Sequence, residues 1–317
     1  MATFIARRLI QTVVILFLLS ILVFSIMHLL PGDPVAIMLG DQASVEEINR
    51  LRSELGLDRP VPVQYLDWLF GLFRGDLGRS IVYNEDVADL VRTRLPVSLH
   101  IGLSAFVLAV AVGVPAGIFA ALKRGSWIDS LITVLANAGI AVPVFWLAIL
   151  GIYLFSLKLG WLPVQGYTSP FEDFGQSLRQ SLMPVVFLSL ITLAQLARQT
   201  RSAMLEVLRQ DYIRTARAKG LKESRVIVGH ALRNALIPVV TLLGLSLAHV
   251  VGGSVFIEQV FNLPGMGRLM VQSIFGKDYI VVQSLVLIIA TVVALCNLAV
   301  DIAYGLIDPR IRQSRSM

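Results

Sequence analysis

Cysteine, histidine and charge are all scarce. The 317 residues hold one cysteine, four histidines and only 15% charged side chains. A lone thiol, Cys296, set inside an apolar run excludes an intrachain disulfide and any cysteine-built metal cage. His28, His100, His230 and His249 fall in separate segments without ligand spacing, so no metal centre is expected. No Gly-x-x-x-x-Gly-Lys-Ser/Thr run occurs, and the chain has no such loop to cradle a nucleotide phosphate. No set of residues reads as catalytic. Gly/Ser linkers, low-complexity tracts and a clear internal repeat are also missing, and 1–317 reads as a single membrane domain. The net charge of +6 is spread over short loops with few aromatics between them, which excludes a nucleic-acid surface.

What is abundant is apolar residue, at 56%, well outside soluble usage. Arg7 and Arg8 precede Leu9 to Leu30, long enough to cross a hydrocarbon core about 30 Å thick. Pro31-Gly32-Asp33-Pro34 follows where a cleaved signal peptide would show small residues. The segment 31–96 has more acids than bases and reads as an external insertion between the first and second spans. Within it Ser44-Val45-Glu46-Glu47 forms a capping box for an amphipathic helix, and Val63 to Phe73 predicts a second. Further spans are expected at Val97–Leu122, Leu131–Phe155, Leu182–Ala197, Ala235–Ile257 and Ile280–Leu306. The outer stretch Leu159–Ser181, with Trp161, Tyr167 and Phe171, has the chemistry of the headgroup level, and Val271–Phe275 reads as a short half-inserted helix. Lysine and arginine gather at Arg7-Arg8, Lys123-Arg124, 198–234 and Arg310–Arg315, which sets both termini inside. The expected fold is an all-α polytopic membrane protein with six transmembrane helices, N-in and C-in.

Two carboxylates in or near the apolar runs stand out as candidate bundle anchors or gates. Asp301 lies beside Asn297 and Tyr304 on helical spacing and reads as an anchor bonded within the bundle. Glu258, next to Gln259, is expected at the outer boundary, where solvation is cheap. Glycines such as Gly113, Gly117, Gly139 and Gly151 are expected to allow close helix packing.

The most basic run is Asp211 to Pro238. Ala203 to Lys219 predicts one helix closed by Gly220 as a left-handed cap, and Glu223 to Leu232 a second short helix ahead of Pro238. Charge alone fits an ordinary cytoplasmic loop as well as a docking surface. Tyr212-Ile213-Arg214-Thr215-Ala216-Arg217-Ala218-Lys219-Gly220-Leu221, followed by His230-Ala231-Leu232-Arg233-Asn234-Ala235-Leu236-Ile237-Pro238, resembles the ATPase-docking loop of permease subunits in bacterial binding-protein-dependent ABC importers, in particular the dipeptide/oligopeptide/nickel class. Arg214-Thr215-Ala216 stands where the general loop has Glu-Ala-Ala, and Ile237-Pro238 replaces Leu-Pro. Leu55-Gly56-Leu57-Asp58-Arg59-Pro60, Gly75-Asp76-Leu77-Gly78-Arg79-Ser80 and Asp308-Pro309-Arg310 are also similar to segments of that class, and the long insertion resembles the first (B-type) of its two permeases.

The resemblance implies a type I ABC importer permease fold in the bacterial inner membrane, surrounded by lipid. It implies as partners a second homologous permease, two cytoplasmic ATPase subunits and an external substrate-binding protein. ATP and Mg would sit on the ATPases, this chain binding no cofactor and catalysing nothing itself. The docking residues would be Arg214, Thr215, Ala216, Arg217, Ala218, Lys219, Gly220, Leu221, Lys222, Glu223, Arg225 and Val226. The external insertion would either receive the binding protein or simply cover the bundle. Dipeptides or oligopeptides are the expected cargo, with glutathione or nickel chelates as alternatives. A stand-alone channel or secondary transporter is the rival from another class, and a scaffold or assembly protein a third option.

Overall fold

The computed structural model describes residues 2–29, 44–54 and 57–307. The helices are α1 (Ala2–Leu29), α2 (Val45–Glu54), α3 (Val61–Phe73), α4 (Val87–Leu122), α5 (Trp127–Ala141), α6 (Val144–Gly151), α7 (Phe174–Val207), α8 (Asp211–Ala218), α9 (Arg233–Val260), α10 (Met266–Phe275) and α11 (Tyr279–Ile307). Among the described residues five helical stretches are long and apolar enough to span a bilayer, and there are six if the bent pair Trp127–Ala141 and Val144–Lys158 is one span. Their outward faces are oily: on α1, Ile10, Val13 and Leu18 are all more than half exposed, as lipid-facing residues should be.

The caps explain where helices begin. Ser44 donates its N–H to Glu47 Oε2 at 2.9 Å, while Glu47 N–H reaches Ser44 Oγ at 3.3 Å, closing the expected box at the start of α2. That backbone bond holds the Glu47 carboxyl below its ordinary range. Asp173 caps α7 by accepting from Gln176 N–H at 2.9 Å, and Ser126 caps α5.

Four expectations change. The third crossing is not one straight helix: the path bends by 103° between α5 and the run Val144–Lys158. Pro143 has no N–H to give and forces Val142 into extended backbone, φ −90° and ψ 131°, which ends α5. Beyond it α6 loosens into a π-helical stretch, Ile152–Lys158. The predicted helix Ala203 to Lys219 is likewise divided, because α7 ends at Val207 and α8 begins at Asp211. The short helix predicted over Glu223 to Leu232 is not a separate element: the helical turn Glu223–Arg225 and the π-helical stretch Val226–Leu232 run without interruption into α9, and Pro238 lies inside it. The half-inserted outer helix is longer than expected, running Met266–Phe275.

The core is organised around α4 and α7. A Cβ on Gly113 would meet Leu193 O at 2.7 Å, and one on Gly117 would meet Ala197 O at 2.5 Å, so the two backbones touch through missing side chains. Toward the outside, Ile101 and Ala105 of α4 pack with Met183 and Leu188 of α7, Ala148 of α6 and Ile257 of α9. Midway, Ala109, Leu196 and Val239 join the same three long helices. α11 lies along α9, and α1 lies along α11.

The phrase Gly75 to Ser80 is folded against the bundle. Asp278, fully buried ahead of α11, accepts from Ser80 Oγ at 2.5 Å and from Val82 N–H at 3.0 Å. Ser284 Oγ donates to Leu77 O at 2.9 Å. Gly78 holds φ +82°, with Ile280 Cγ2 2.7 Å from where its Cβ would be, so both its conformation and its space require glycine. This part of the insertion is fastened to the starts of α4 and α11.

Candidate functional site

The basic run forms a knuckle at the inner end of α7 and α9. After α7, the turn Leu208–Gln210 redirects the chain into α8. The face of α8 that carries Ile213 and Ala216 is buried against Ala203 and Met204 of α7, Ala121 at the end of α4, and Val226, Ala231 and Ala235 beyond the turn. α8 is therefore seated on the bundle by apolar packing. At Gly220 the backbone has φ +76°, the left-handed cap expected there. Across that turn Arg217 grips Glu223 with two bonds, Nη2 to Oε1 at 2.7 Å and Nε to Oε2 at 3.1 Å. Asn234 Nδ2 donates to Tyr212 Oη at 3.1 Å and to His230 O at 3.0 Å, joining α8 to the start of α9.

This packing sorts the predicted docking residues into two groups. Arg214, Thr215, Arg217, Ala218, Lys219, Gly220, Lys222, Glu223 and Arg225 are exposed, Leu221 is half-buried, and Ala216 and Val226 are buried. The last two form part of the seat and cannot meet a partner without unpacking. Sequence reasoning missed the exposed Val228, 65% accessible, and the bare Gly229 beside it. Both lie on the π-helical stretch, whose wider turn no simple periodicity announces.

Behind the knuckle, Arg201 of α7 holds Asp129 of α5 in a bidentate pair, Nε to Oδ1 at 2.6 Å and Nη2 to Oδ2 at 2.9 Å. Asp129 is buried and also accepts from Gly125 N–H at 3.0 Å. The short inner loop after α4 is thus tied to the helix that leads into the knuckle. In the sequence Arg201 reads only as one of the inner-side charges of 198–234. Its separation from Asp129 conceals the pair.

At the outer end the structure corrects the placement of Glu258. It is not solvated at a boundary but fully buried. It accepts from Ser98 Oγ at 2.6 Å and from Arg268 N–H at 3.0 Å, while Ser98 Oγ accepts from Met266 N–H at 2.8 Å. A Cβ at Gly265 would collide with the carboxylate, and one at Gly267 would come 3.1 Å from its Oε2. Glu258 thereby fastens α9, α4 and the start of α10 to one another. The side chain of Asp301, those of His28 and His249, and Asp308-Pro309-Arg310 lie outside the described residues. Among the described residues no three His, Cys, Asp or Glu stand close enough to share a metal ion.

A bundle of apolar crossings with a basic knuckle packed between the fourth and fifth defines a polytopic inner-membrane permease with the fold of type I importers. Residues 113–313 match the family model of the binding-protein-dependent transport system inner membrane component, and residues 1–102 match the model of the N-terminal part of such membrane components. The chain belongs to that family. It is 46% identical over 313 residues to a Brucella abortus (strain 2308) protein described as a peptide transport system permease, with 98% of this chain and 99% of that one aligned. It is 42% identical over 340 residues to the di/tripeptide transport system permease protein DppB of Pseudomonas aeruginosa (strain UCBPP-PA14), with 99% of this chain and all of that one aligned. A solved chain of the MetNI methionine ABC transporter in an inward-facing conformation shares the fold at TM-score 0.57 and 19% identity, over 69% of this chain and 96% of that chain.

Proposed function

We propose that this chain is one of two membrane subunits of an ATP-driven importer that carries dipeptides or oligopeptides by alternating access, receiving them from an external binding protein. ATP and Mg are bound by two separate ATPase subunits, which grip this chain through the exposed side of the knuckle. The observation that carries this reading is the division of the knuckle into a buried apolar seat and an exposed cationic face. A surface loop needs no such seat; a lever does. Push on α8 and the force enters α7 through Met204 and α9 through Val226 and Ala231, while the Arg201–Asp129 pair carries it to α5. Coupling of this kind is reciprocal, so cargo delivery also biases the nucleotide cycle. The peptide-class names of the relatives support the cargo assignment.

The test is charge reversal on the exposed face, Lys219→Glu with Lys222→Glu, in the assembled transporter. The expected result is loss of ATPase co-purification and of labelled dipeptide uptake, with the chain still inserted and folded. Uptake at the wild-type rate overturns the docking role. Competition of that uptake by glutathione or a nickel chelate, without competition by other peptides, would move the cargo to those alternatives.

A further inference from the structure

α3 packs on α1 at one place and is apolar on the opposite side as well. Tyr65 Oη and Ser20 Oγ lie 2.8 Å apart, and the Phe24 ring meets those of Tyr65 and Trp68 at 5.3 and 5.7 Å. Val63, Leu66, Phe70 and Phe73 recur at the spacing of one helical stripe and face away from α1. They are 41%, 48%, 59% and 82% exposed. The polar groups of the helix do not lie on that stripe's centre. Gln64 Nε2 donates to Leu57 O at 3.1 Å and to Arg59 O at 2.8 Å, and Asp67 at the rim pairs with Arg59 at 3.0 Å.

The contact point on α1 sets the depth. The apolar run of α1 begins on the inner side at Leu9, after Arg7 and Arg8. At 1.5 Å per residue, Ser20 and Phe24 lie about 16 and about 22 Å along it, in the outer half of a core about 30 Å thick. A helix that touches α1 there is level with the acyl chains of the outer leaflet. Tyr65 and Trp68 are the residue types that favour that level. We propose that α3 is an interfacial helix lying in the outer leaflet, with the Val63, Leu66, Phe70 and Phe73 stripe buried among lipid chains. The occupant of the stripe is lipid. This claim goes beyond the transport reading and does not depend on the cargo.

Nitroxide labels on Phe70→Cys and Phe73→Cys test it, each in the full chain carrying Cys296→Ala. The protein is placed in vesicles of phosphatidylethanolamine and phosphatidylglycerol, both alone and assembled with its partners. Oxygen partitions into hydrocarbon and a neutral nickel chelate into water. The expected result is a ratio of oxygen to nickel collision rates above one at 70 and 73 in both preparations, reversed at Asp67→Cys. A ratio below one at 70 and 73 places the stripe in water and overturns the proposal. Protection from both reagents in the assembly alone means a protein covers the stripe, and overturns it too. Leu66→Cys supplies the same readout if a phenylalanine variant fails to elute as a single folded species.

Discussion

At the scale of single residues, Gly220 isolates a backbone effect. Nothing lies within 4 Å of where its Cβ would be, so only the φ of +76° opposes a side chain. Gly220→Ala is expected to cost about 1–2 kcal/mol, and Gly220→Asn less, measured as the shift in the unfolding midpoint of the purified chain. Glu258 is governed by the opposite circumstance, since it has no exposure and is ringed by donors. Glu258→Ala leaves Arg268 N–H and Ser98 Oγ without their acceptor, at about 1–3 kcal/mol for each buried group orphaned. Ser98→Ala added to it should cost less than Ser98→Ala alone, because the two substitutions remove one network. Additive losses in a double-mutant cycle would show that the carboxylate and hydroxyl act separately. The Arg201–Asp129 pair allows a similar comparison: Arg201→Lys keeps the charge but not the two-pronged grip, and should recover little of the stability lost in Arg201→Ala.

At the scale of elements, the contact between α4 and α7 depends on what Gly113 and Gly117 lack. Gly117→Ala would put a methyl 2.5 Å from Ala197 O and 3.0 Å from Arg201 N, both backbone atoms that cannot swing aside. The expected loss is about 1–3 kcal/mol. Gly125→Ala, with nothing within 4 Å of its Cβ, should cost only the strain of its φ of +77°; Gly117 has no such strain, and an unchanged stability of Gly117→Ala would refute the packing role. Elements were legible in the sequence wherever the signal was local. The box at Ser44 and Glu47, the stop at Gly220 and the apolar runs depend on neighbours a few residues apart, and each is present. What escaped depends on distant partners. Asp129 needs Arg201, Glu258 needs Ser98, and Asp278 needs Ser80, all brought together only by helix packing. The break at Pro143 was written in the sequence, but the oily residues on either side masked it as a continuous span. The division at Leu208–Gln210 was hidden because every residue from Ala203 onward is an adequate helix former.

At the scale of the whole molecule, the arrangement of crossings fixes which side each surface faces. In right-side-out vesicles, a membrane-impermeant maleimide should label Val228→Cys only after permeabilisation, whereas Asp76→Cys should react at once, each in a Cys296→Ala chain. Labelling at 228 in sealed vesicles would invert the topology and remove the knuckle from the cytoplasm. The seat beneath the knuckle draws on α4, α7 and α9, and the outer fastening at Glu258 joins α4, α9 and α10, so α4 and α9 are held at both ends. A rearrangement that opens one side must therefore work through helices that are anchored on the other.

The right-angled third crossing carries a last consequence. Its first arm has the length of about 22 Å that 15 α-helical residues allow, and the second contains the wider turns of the π-helical stretch; bent by 103°, the two reach less far than a straight helix of the same residues. Around that elbow the sheet of lipid must dimple or the arms must lean. Transport should then respond to acyl-chain length, falling in thick membranes sooner than in thin ones, and straightening the elbow with Pro143→Ala should shift that optimum toward longer chains.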